Sequence, residues 1–515
     1  MDGADSRRAR SSGLEPALQQ LGVFRGYQQF AVLLLCVPSV LSAMYSFNYV
    51  FVADKANFRC VVPECEGWSP AFNSSASALL PPAPCARYEP RGAGADPCAR
   101  DYYHESRTVA CERRVYENHH TIAGEFDLGC REWQRTLVGS VRQAALPLSL
   151  IITGYTSDTF GRLKAFCIFS ACIGSMGIVK SFSVNYYMYL SMEFLESALG
   201  YGFNSCAYVM LLEIAHPSVR GVVAGLSGVA YGAGGCVFAL AAWLLPRWRR
   251  LLQVVYAPAL LLPLYWLALD ESIRWLHFKG RTDQMERVIR KAARWNKVTL
   301  DEELMKNIGD SPGRSRTTAA NWRLLLRSKR LMINFAICGW VWISTAFVYY
   351  GLTINSVSLA GDKYVNYALN MAMEIVASLL LMMALERLGR KWTVFSSTLL
   401  CGAACVVPFF VQHTGTGLGL YFVGKLAVTM AYNGMYVLSG ELFPTAVRAS
   451  AIAALSLVGR VGSVLAPQTP LLSMYVQAIL YAAVTLLSAA SVLFLPETLG
   501  AALAQDLAAD EPEHV

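Results

Sequence analysis

The sequence has few charged residues and lacks the motifs of several common catalytic and energy-coupling sites. Only 16% of its 515 residues are Asp, Glu, Lys or Arg, against about a quarter in soluble globular domains. It contains no G-x-x-x-x-G-K-[ST], H-E-x-x-H or G-x-S-x-G stretch, which argues against a nucleotide-driven pump, a zinc peptidase and a serine hydrolase. It has no TVGYG filter of a potassium-type channel either. We therefore expect no enzyme, no cofactor and no metal site.

Long hydrophobic runs dominate what is present. Hydrophobic residues make up 55% of the chain, and its mean hydropathy is +0.37. A run of about 20 apolar residues is long enough to cross a bilayer as a helix. The sequence predicts an all-α membrane protein with twelve transmembrane helices, at 30–52, 137–157, 163–182, 187–212, 220–244, 251–269, 331–353, 364–385, 392–412, 417–439, 448–467 and 471–495.

An internal repeat relates the first six runs to the last six. A shift of 228 residues places Gly161-Arg162 on Gly389-Arg390, within GYTSDTFGRLK and ERLGRK. The same shift pairs three further charged positions, which are Asp158 with Glu386, Glu213 with Glu441, and Arg220 with Arg448. Repeats of this length in an apolar chain are typical of transporters built from two parallel helical bundles.

The repeat and the polar segments define the expected domains. These are a cytoplasmic N-terminal segment 1–29, a six-helix bundle 30–269 that includes a Cys-rich extracellular loop 53–136, a cytoplasmic basic loop 270–330, a second six-helix bundle 331–499 and a cytoplasmic tail 500–515. The loop between Asp270 and Arg330 holds fifteen Lys or Arg against eight Asp or Glu. The positive-inside rule places this loop, and with it both termini, in the cytoplasm. Arg247, Arg249 and Arg250 run against the rule, because they fall in a short turn on the other side.

The first loop has the composition of a secreted, oxidised segment. It contains six of the fourteen cysteines, which are Cys60, Cys65, Cys85, Cys98, Cys111 and Cys130. An even number of cysteines in an extracellular segment predicts three disulfides, but six cysteines allow 15 pairings and the sequence does not choose among them. The N-x-[ST] sequon of the chain, at Asn73, lies in the same loop. We therefore expect a disulfide-bonded glycoprotein with this loop outside the cell.

The repeated charged stretches have two interpretations. Each follows the end of a membrane span, where acid–arginine pairs could form and break as two bundles rock about a central site. The alternative is that these residues only anchor the helix ends at the interface. We favour a gate made of Asp158, Arg162, Glu213, Arg220, Glu386, Arg390, Glu441 and Arg448.

Several motifs together resemble one family over nearly the whole chain. They are LGVFRGYQQF before the first span, FDLGC before the second, DESIRWLHFKGR after the sixth, VYYGLTIN in the seventh, ELFPTAVR after the tenth, RVGSVLAP in the eleventh and PETLG after the twelfth. The chain resembles the major facilitator superfamily, and within it the organic cation/anion/zwitterion transporters. One departure is Glu193, which stands where the resemblance implies an Arg linked to proton coupling.

Two charges fall near the middle of predicted spans, where they are costly and therefore suggest function. Glu374 lies in span eight and Arg460 in span eleven. The resemblance links the acid with cationic substrates, and an Arg at the second position with anion and carnitine carriers. It also implies a Lys in span eight of many anion carriers, where this chain has Ser378. This combination favours the carnitine-type branch. The alternative is that Glu374 and Arg460 simply pair with each other.

Aromatic residues in two spans are candidates for the wall of a substrate site. Trp342, Tyr349 and Tyr350 lie in span seven, and Tyr432 with Tyr436 in span ten. Aromatic faces attract quaternary ammonium groups by roughly 0.5–2 kcal/mol, although most aromatic residues in spans only pack. Further charges inside spans are Arg142, Lys425 and Glu193, and Glu193 is a candidate partner for either base.

These observations predict a transporter of small organic cations or zwitterions, carnitine-like, that works by alternating access in the plasma membrane. Its partners would be the small-molecule substrate and the lipid bilayer, with a coupling ion left open and no nucleic acid. Two alternatives remain: an organic anion transporter, and a receptor on the same fold that transports nothing.

Overall fold

A computed structural model describes residues 18–67, 70–91, 96–301, 328–407, 414–444 and 447–499. It contains twelve long helical segments, which we number α1 to α12. They are Gly26–Val52, Glu132–Phe160, Arg162–Lys180, Tyr186–Ile214, Arg220–Leu244, Trp248–Ala268, Lys329–Asn355, Lys363–Arg387, Arg390–Val406, Thr414–Leu442, Arg448–Leu465 and Met474–Val492. Each predicted span has its counterpart. Within the described residues, nine helices are long and apolar enough to cross a membrane by length and composition.

Three of these helices are less regular than their apolar runs suggest. α1 consists of Gly26–Ser46 and Asn48–Val52, separated at Phe47. α4 consists of two pieces, Tyr186–Gly200 and Gly202–Ile214, separated at Tyr201. α6 passes through a 3-10 stretch, Ala257–Leu264, that contains Pro263. Proline has no backbone N–H to donate and its ring crowds the preceding turn, so the α-helical pattern is not sustained there.

In each half, a glycine with positive φ makes the tight turn between the second and the third helix. Gly161 joins α2 to α3 with φ +112°, and Gly389 joins α8 to α9 with φ +91°. Few residues other than glycine adopt such angles without strain. A carboxylate packs against each turn, since a Cβ on Gly161 would lie 2.3 Å from Glu271 Oε2 and one on Gly389 would lie 2.6 Å from Glu497 Oε2. The repeat in the sequence is therefore also a repeat in local structure.

Some expected boundaries shift. α2 begins at Glu132, so the last residues of the predicted loop 53–136 belong to the helix. The predicted loop 270–330 begins with two helices, Ile273–Phe278 and Thr282–Asn296, whose apolar faces pack with Leu18 and Leu21 of the N-terminal segment. Residues 302–327, and the parts of the predicted termini at 1–17 and 500–515, lie outside the described residues.

Residues 53–131 form a small compact unit that we call the cap. Its strands pair as two antiparallel ribbons, Phe58–Cys60 with Arg114–Tyr116, and Ala86–Pro90 with Tyr103–Ala110. The six cysteines join as Cys60–Cys111, Cys65–Cys98 and Cys85–Cys130. The expectation of three disulfides is confirmed, and the structure selects one of the 15 pairings. Crosslinks compensate for a core too small to stabilise such a unit alone.

A buried ion pair supports the cap interior. Arg59 donates to both carboxylate oxygens of Glu66, with Arg59 Nη1 to Glu66 Oε2 at 2.8 Å, and Ser74 donates to Glu66 Oε1 at 2.6 Å. Burial alone would raise the pKa of Glu66, but the hydrogen bonds from Arg59, Ser74 and the backbone N–H of Val62 outweigh it and lower the pKa to about 2. The carboxylate therefore stays ionised at mildly acidic pH.

The cap also accounts for one of the arginines that break the positive-inside pattern. Arg249, at the start of α6, pairs with Glu125 of the cap at 2.5 Å and donates to the backbone oxygens of Ser181 and Ser183. The indole of Trp248 donates to the same Glu125 carboxylate at 2.6 Å. At least one of the three arginines is thus a structural contact between cap and bundle, which explains its place at this end of the helices.

The two halves close on each other at the end that carries the cap, here called the cap end. Lys363 at the start of α8 pairs with Asp54 after α1 at 2.6 Å. Gln468, after α11, donates to Ser140 of α2 at 2.8 Å and accepts from Thr136 at 2.9 Å. These contacts join the first half to the second at the cap end of the central space.

Candidate functional site

A buried ion pair lies at the centre of the second half. Glu374 of α8 and Lys425 of α10 approach to 2.6 Å, and their side chains are 7% and 0% exposed. Lys425 also donates to Thr353 of α7 at 2.8 Å, and Thr429 donates to the same Glu374 oxygen at 3.4 Å. The sequence pointed to Glu374 but not to this partner. Because each charge is compensated, the pair can exist away from water.

Aromatic rings surround this pair as a continuous wall. The Lys425 ammonium lies 3.5 Å from the ring centroid of Tyr349, which is within cation–π distance. Tyr432 stacks on Tyr349 with centroids 5.3 Å apart, and Trp342 meets Tyr432 and Tyr436 edge-on at 5.7 and 4.3 Å. Trp342 itself is 1% exposed. It therefore supports the wall from behind in this conformation, and the tyrosines lie in front.

Arg460 of α11 is not the ion-pair partner of Glu374, which pairs with Lys425 instead. Its neighbours are tyrosines from both halves: its charge interacts with Tyr350, Tyr432 and Tyr436 and with Tyr201 of α4. Within the described residues no carboxylate pairs with it, and its Nε is buried without a hydrogen-bond acceptor. Arg460 is half-buried. A guanidinium that is partly removed from water and has no carboxylate is costly, so this position suits an acidic group that is bound only part of the time.

The space beside Arg460 opens toward the end opposite the cap, here called the far end. Tyr208 of α4 and Tyr436 of α10 belong to different halves and are near enough to interact. They are nevertheless 40% and 39% exposed. Two facing side chains with this exposure border an accessible space between the halves. The site is thus closed at the cap end and accessible from the far end.

A second charged cluster is buried in the first half. Arg142 of α2 pairs with Glu193 at 2.7 Å and with Glu196 at 3.0 Å, both on α4. Lys180 of α3 pairs with the same two glutamates, and Tyr256 donates to Glu196 at 2.6 Å. All four charged side chains are at most 1% exposed. Glu193 is thus a partner of Arg142, one of the two bases considered, while Lys180 and Glu196 were missed.

The repeated charges are found at the far end, and each arginine of the two Gly-Arg turns pairs inside its own half. Arg162 lies 2.5 Å from Asp158 and 3.6 Å from Glu213. In the second half Arg390 lies 3.0 Å from Glu441. The structure therefore brings together the equivalent pairs Arg162–Glu213 and Arg390–Glu441.

Three other members of the expected gate, Glu386, Arg448 and Arg220, make different contacts. Glu386, the counterpart of Asp158, is exposed. Arg448 donates to the backbone oxygen of Phe443 at 3.1 Å, and the Nε of Arg220 is buried without an acceptor. Among the residues that the structure describes, these three do not join the acid–arginine pairs in this conformation.

Two carboxylates that the sequence analysis did not single out cap the Gly-Arg turns. Glu271 accepts from the backbone N–H groups of Arg162 and Leu163, and Glu497 accepts from that of Arg390. Burial raises the pKa of Glu271. It would also raise that of Glu497, but backbone N–H groups that include Leu499 and Arg390 lower it below the usual range. The signal was an acid shortly after the last helix of each half, in DESIR and PETLG.

Comparison with known proteins agrees with this architecture. Residues 85–506 match the family described as "Sugar (and other) transporter". An organic cation transporter protein of Drosophila melanogaster is 29% identical, with 95% of this chain and 92% of the relative covered. The organic cation/carnitine transporter 2 of Rattus norvegicus is 29% identical, over 94% and 91%. Solute carrier family 22 member 13 of Homo sapiens is 28% identical, over 95% and 92%.

Solved structures agree on the fold. The xylose transporter XylE from E. coli, in an inward-open conformation, superposes with a TM-score of 0.59 at 16% identity, over 92% of this chain and 97% of that one. Its partially occluded inward-open form gives 0.58 at 18% identity, over 93% and 100%. The family match covers most of the chain and excludes an enzyme. This protein therefore belongs to the sugar (and other) transporter family, and it is a multi-pass membrane transporter with the major facilitator fold.

Proposed function

We propose that this protein moves a small organic zwitterion, carnitine-like, across the membrane by alternating access. The observation that carries the proposal is Arg460. It lies among tyrosines of both halves, has no carboxylate partner among the described residues, and borders the space that opens to the far end. The names of the relatives, which include organic cation and carnitine transporters, support the same substrate class.

Each end of such a substrate has a suitable partner. Its carboxylate would meet Arg460, which supplies a charged donor of fixed geometry. Its ammonium would lie against the tyrosine wall and toward Glu374, where cation–π attraction and the carboxylate both favour it. The Lys425 ammonium already uses this environment at 3.5 Å from Tyr349 and 2.6 Å from Glu374. The site thus tolerates a cation at this place.

An organic anion is the second candidate, and Lys425 is the observation that favours it. Because Lys425 neutralises Glu374, the charges of Glu374, Lys425 and Arg460 together leave one positive charge. A bare cation meets that charge without compensation, whereas a lone carboxylate neutralises it. Both substrates offer a carboxylate to Arg460. The zwitterion is favoured over the anion only if its ammonium can compete with Lys425 for the Glu374 carboxylate.

Uptake of a labelled panel separates these candidates. Cells that express the full chain would receive carnitine, tetraethylammonium and a monocarboxylate without an ammonium group, beside cells with empty vector. We expect saturable uptake of carnitine above that of the other two. Preference for the monocarboxylate would establish the second candidate, and preference for tetraethylammonium would contradict the role given to Arg460. Binding without uptake would indicate a receptor.

The rocking of the halves would be controlled at both ends. Cross-half contacts such as Asp54–Lys363 hold the cap end closed. At the far end the pairs Arg162–Glu213 and Arg390–Glu441 stay within their halves, so neither pair links the two halves there. We propose that these charges exchange partners between halves when the far end closes, so that they act as a gate.

Replacing Arg162 or Arg390 by Ala should lower uptake about tenfold, equivalent to about 1.4 kcal/mol of lost stabilisation of one conformation. Surface expression, measured by biotinylation, should stay near that of the wild type. Arg387→Ala is the matched control, because Arg387 is an exposed arginine at the same helix end. If both variants transport normally, these charged residues only anchor the helix ends at the membrane interface and do not form a gate.

The orientation completes the proposal. We place the cap outside the cell, both termini in the cytoplasm and the protein in the plasma membrane, because oxidised cysteines and the basic segment 270–330 favour opposite sides. The far-end opening would then face the cytoplasm. Asn73 is exposed on the cap and free to carry a glycan.

Treatment with a glycosidase should increase the electrophoretic mobility of the protein, and Asn73→Gln should remove that change. Ser75→Ala should act in the same way, whereas Ser75→Thr, which keeps the sequon, should preserve the glycan. An unchanged band for the wild type in a glycosylating host would argue that the cap is not exposed to the secretory lumen.

A further inference from the structure

A large cavity lies within the second half, away from the space between the halves. Its volume is about 600 Å³, and it lies at the cap end between α7, α9, α10 and α12. Leu352, Ala404, Leu418 and Ala478 contribute to its apolar wall, and the exposed Lys55 also lines it. We propose that this cavity binds an anionic single-chain amphiphile, such as a fatty acid, drawn from the bilayer, and that its occupancy modulates transport.

Comparison of the two repeats indicates that the cavity is a distinctive feature of the second half. In the first half, the corresponding region is filled by the cluster of Arg142, Lys180, Glu193 and Glu196. The positions 228 residues after Glu193 and Glu196 are Tyr421 and Gly424, and both line the cavity. The two buried glutamates of the first half, Glu193 and Glu196, thus correspond to Tyr421 and Gly424 in the second half.

A third position follows the same pattern. Gly177 packs so closely on Tyr256 that a Cβ there would lie 2.1 Å from its ring. Its counterpart, Cys405, instead faces the cavity. The position 228 residues after Tyr256 is Val484, so the ring that packs on Gly177 has no aromatic counterpart at the shifted position. Since protein interiors are normally close-packed, a volume of this size suggests a space kept for a ligand.

The lining defines the class of ligand. Apolar side chains cover most of the wall, while Asn355, Gln477 and Ser473 add hydrogen-bonding groups. Among the described residues that line it, none is acidic and the single cation is Lys55. Lys55 is exposed and has no ion pair within the described part of the chain. A hydrocarbon tail fits the wall, and an anionic head fits the lysine, whose stem can reach along the interface.

The cavity is also connected to the transport site through two helices. Tyr421, on its wall, donates to the backbone oxygen of Leu352 and so joins α10 to α7. One turn further along α10, Lys425 donates to Thr353 of α7 and pairs with Glu374. A ligand that fixes the spacing of α7 and α10 at the cavity would therefore also affect the distance between Lys425 and Glu374, one turn further from the cap. This is the physical link between occupancy and transport.

Photolabelling of the full chain tests the proposal directly. The protein would be reconstituted in phosphatidylcholine nanodiscs and labelled with palmitic acid that carries a diazirine near the end of its chain, with the matching hexadecanol as the uncharged probe. We expect labelled peptides from α9, α10 and α12. Ala478→Trp, which fills the cavity, should lower labelling about tenfold. Ile479→Trp is the matched control, because its side chain faces outward with 61% exposure, and it should label normally.

The head group and the native chain supply two further readouts. Lys55→Glu should lower labelling by the acid about fivefold, the size of one exposed ion pair, and leave the alcohol unchanged. In the unmodified protein, palmitate should slow alkylation of Cys405, with buried Cys36 as the internal reference. Equal labelling of Ala478→Trp and Ile479→Trp, or no protection of Cys405, would overturn the proposal. Equal loss of acid and alcohol in Lys55→Glu would overturn the choice of an anionic head. None of these readouts depends on the transported substrate.

Discussion

Replacing Lys425 by Ala is expected to destabilise the protein by about 3–5 kcal/mol and to abolish uptake, because it leaves the Glu374 carboxylate buried without a cation. Lys425 has no exposed surface, and its ammonium contacts Glu374 at 2.6 Å and Thr353 at 2.8 Å. Glu374→Gln should cost a similar amount, since it strands the ammonium instead. The measurement is thermal unfolding of the purified protein in detergent, together with uptake in cells.

The double variant Glu374→Gln, Lys425→Gln is the decisive control. With both charges removed, neither partner is left uncompensated, so stability should recover most of the loss of either single change. Uptake should not recover if Glu374 also meets the substrate. If the two single changes add up in the double variant, the ion pair has no energetic coupling, and the central role assigned to it is wrong. Ser378→Ala, one turn along α8, should leave stability almost unchanged.

The sequence predicted the architecture because two signals were redundant. Twelve apolar runs each have a helical counterpart, and the 228-residue shift recurs as matching turns at Gly161 and Gly389. The pairs Arg162–Glu213 and Arg390–Glu441 obey the same shift. An even number of cysteines in a polar loop indicated disulfides, but only the folded cap brings particular sulfurs together. Repetition thus identified the elements, while contacts between distant residues needed the structure.

The candidate site was predicted less completely, for a physical reason. Helical periodicity tells which residues share a face of one helix, but not which neighbouring helix that face meets. Glu374 and Arg460 are both near the middle of their spans, so they were natural partners by depth. In the structure, Glu374 instead forms an ion pair with Lys425, and the neighbours of Arg460 are tyrosines. Lys180 and Glu196 were missed because they lie in otherwise apolar or mixed runs with no repeat to mark them.

The charge of Arg460 is expected to decide between substrates. Arg460→Asp should lower carnitine uptake about 100-fold, which corresponds to roughly 2.8 kcal/mol, and should raise uptake of tetraethylammonium. Two like charges about 4 Å apart repel by about 4 kcal/mol at an effective dielectric constant near 20, before the site relaxes. The new carboxylate would repel the carboxylate of the zwitterion and attract a simple cation. Both effects therefore lower the ratio of carnitine uptake to tetraethylammonium uptake.

Neutral and conservative variants separate charge from shape at this position. Arg460→Gln removes attraction without adding repulsion, so carnitine uptake should fall less than in Arg460→Asp and tetraethylammonium should gain little. Arg460→Lys keeps the charge but loses the planar fork, and should retain part of the carnitine uptake. Stability must be measured beside uptake, because Arg460 interacts with four tyrosines. If all three variants keep the wild-type ratio of carnitine to tetraethylammonium, Arg460 does not face the substrate. The preference for a zwitterion would then lose its main support, since Lys425 already neutralises Glu374.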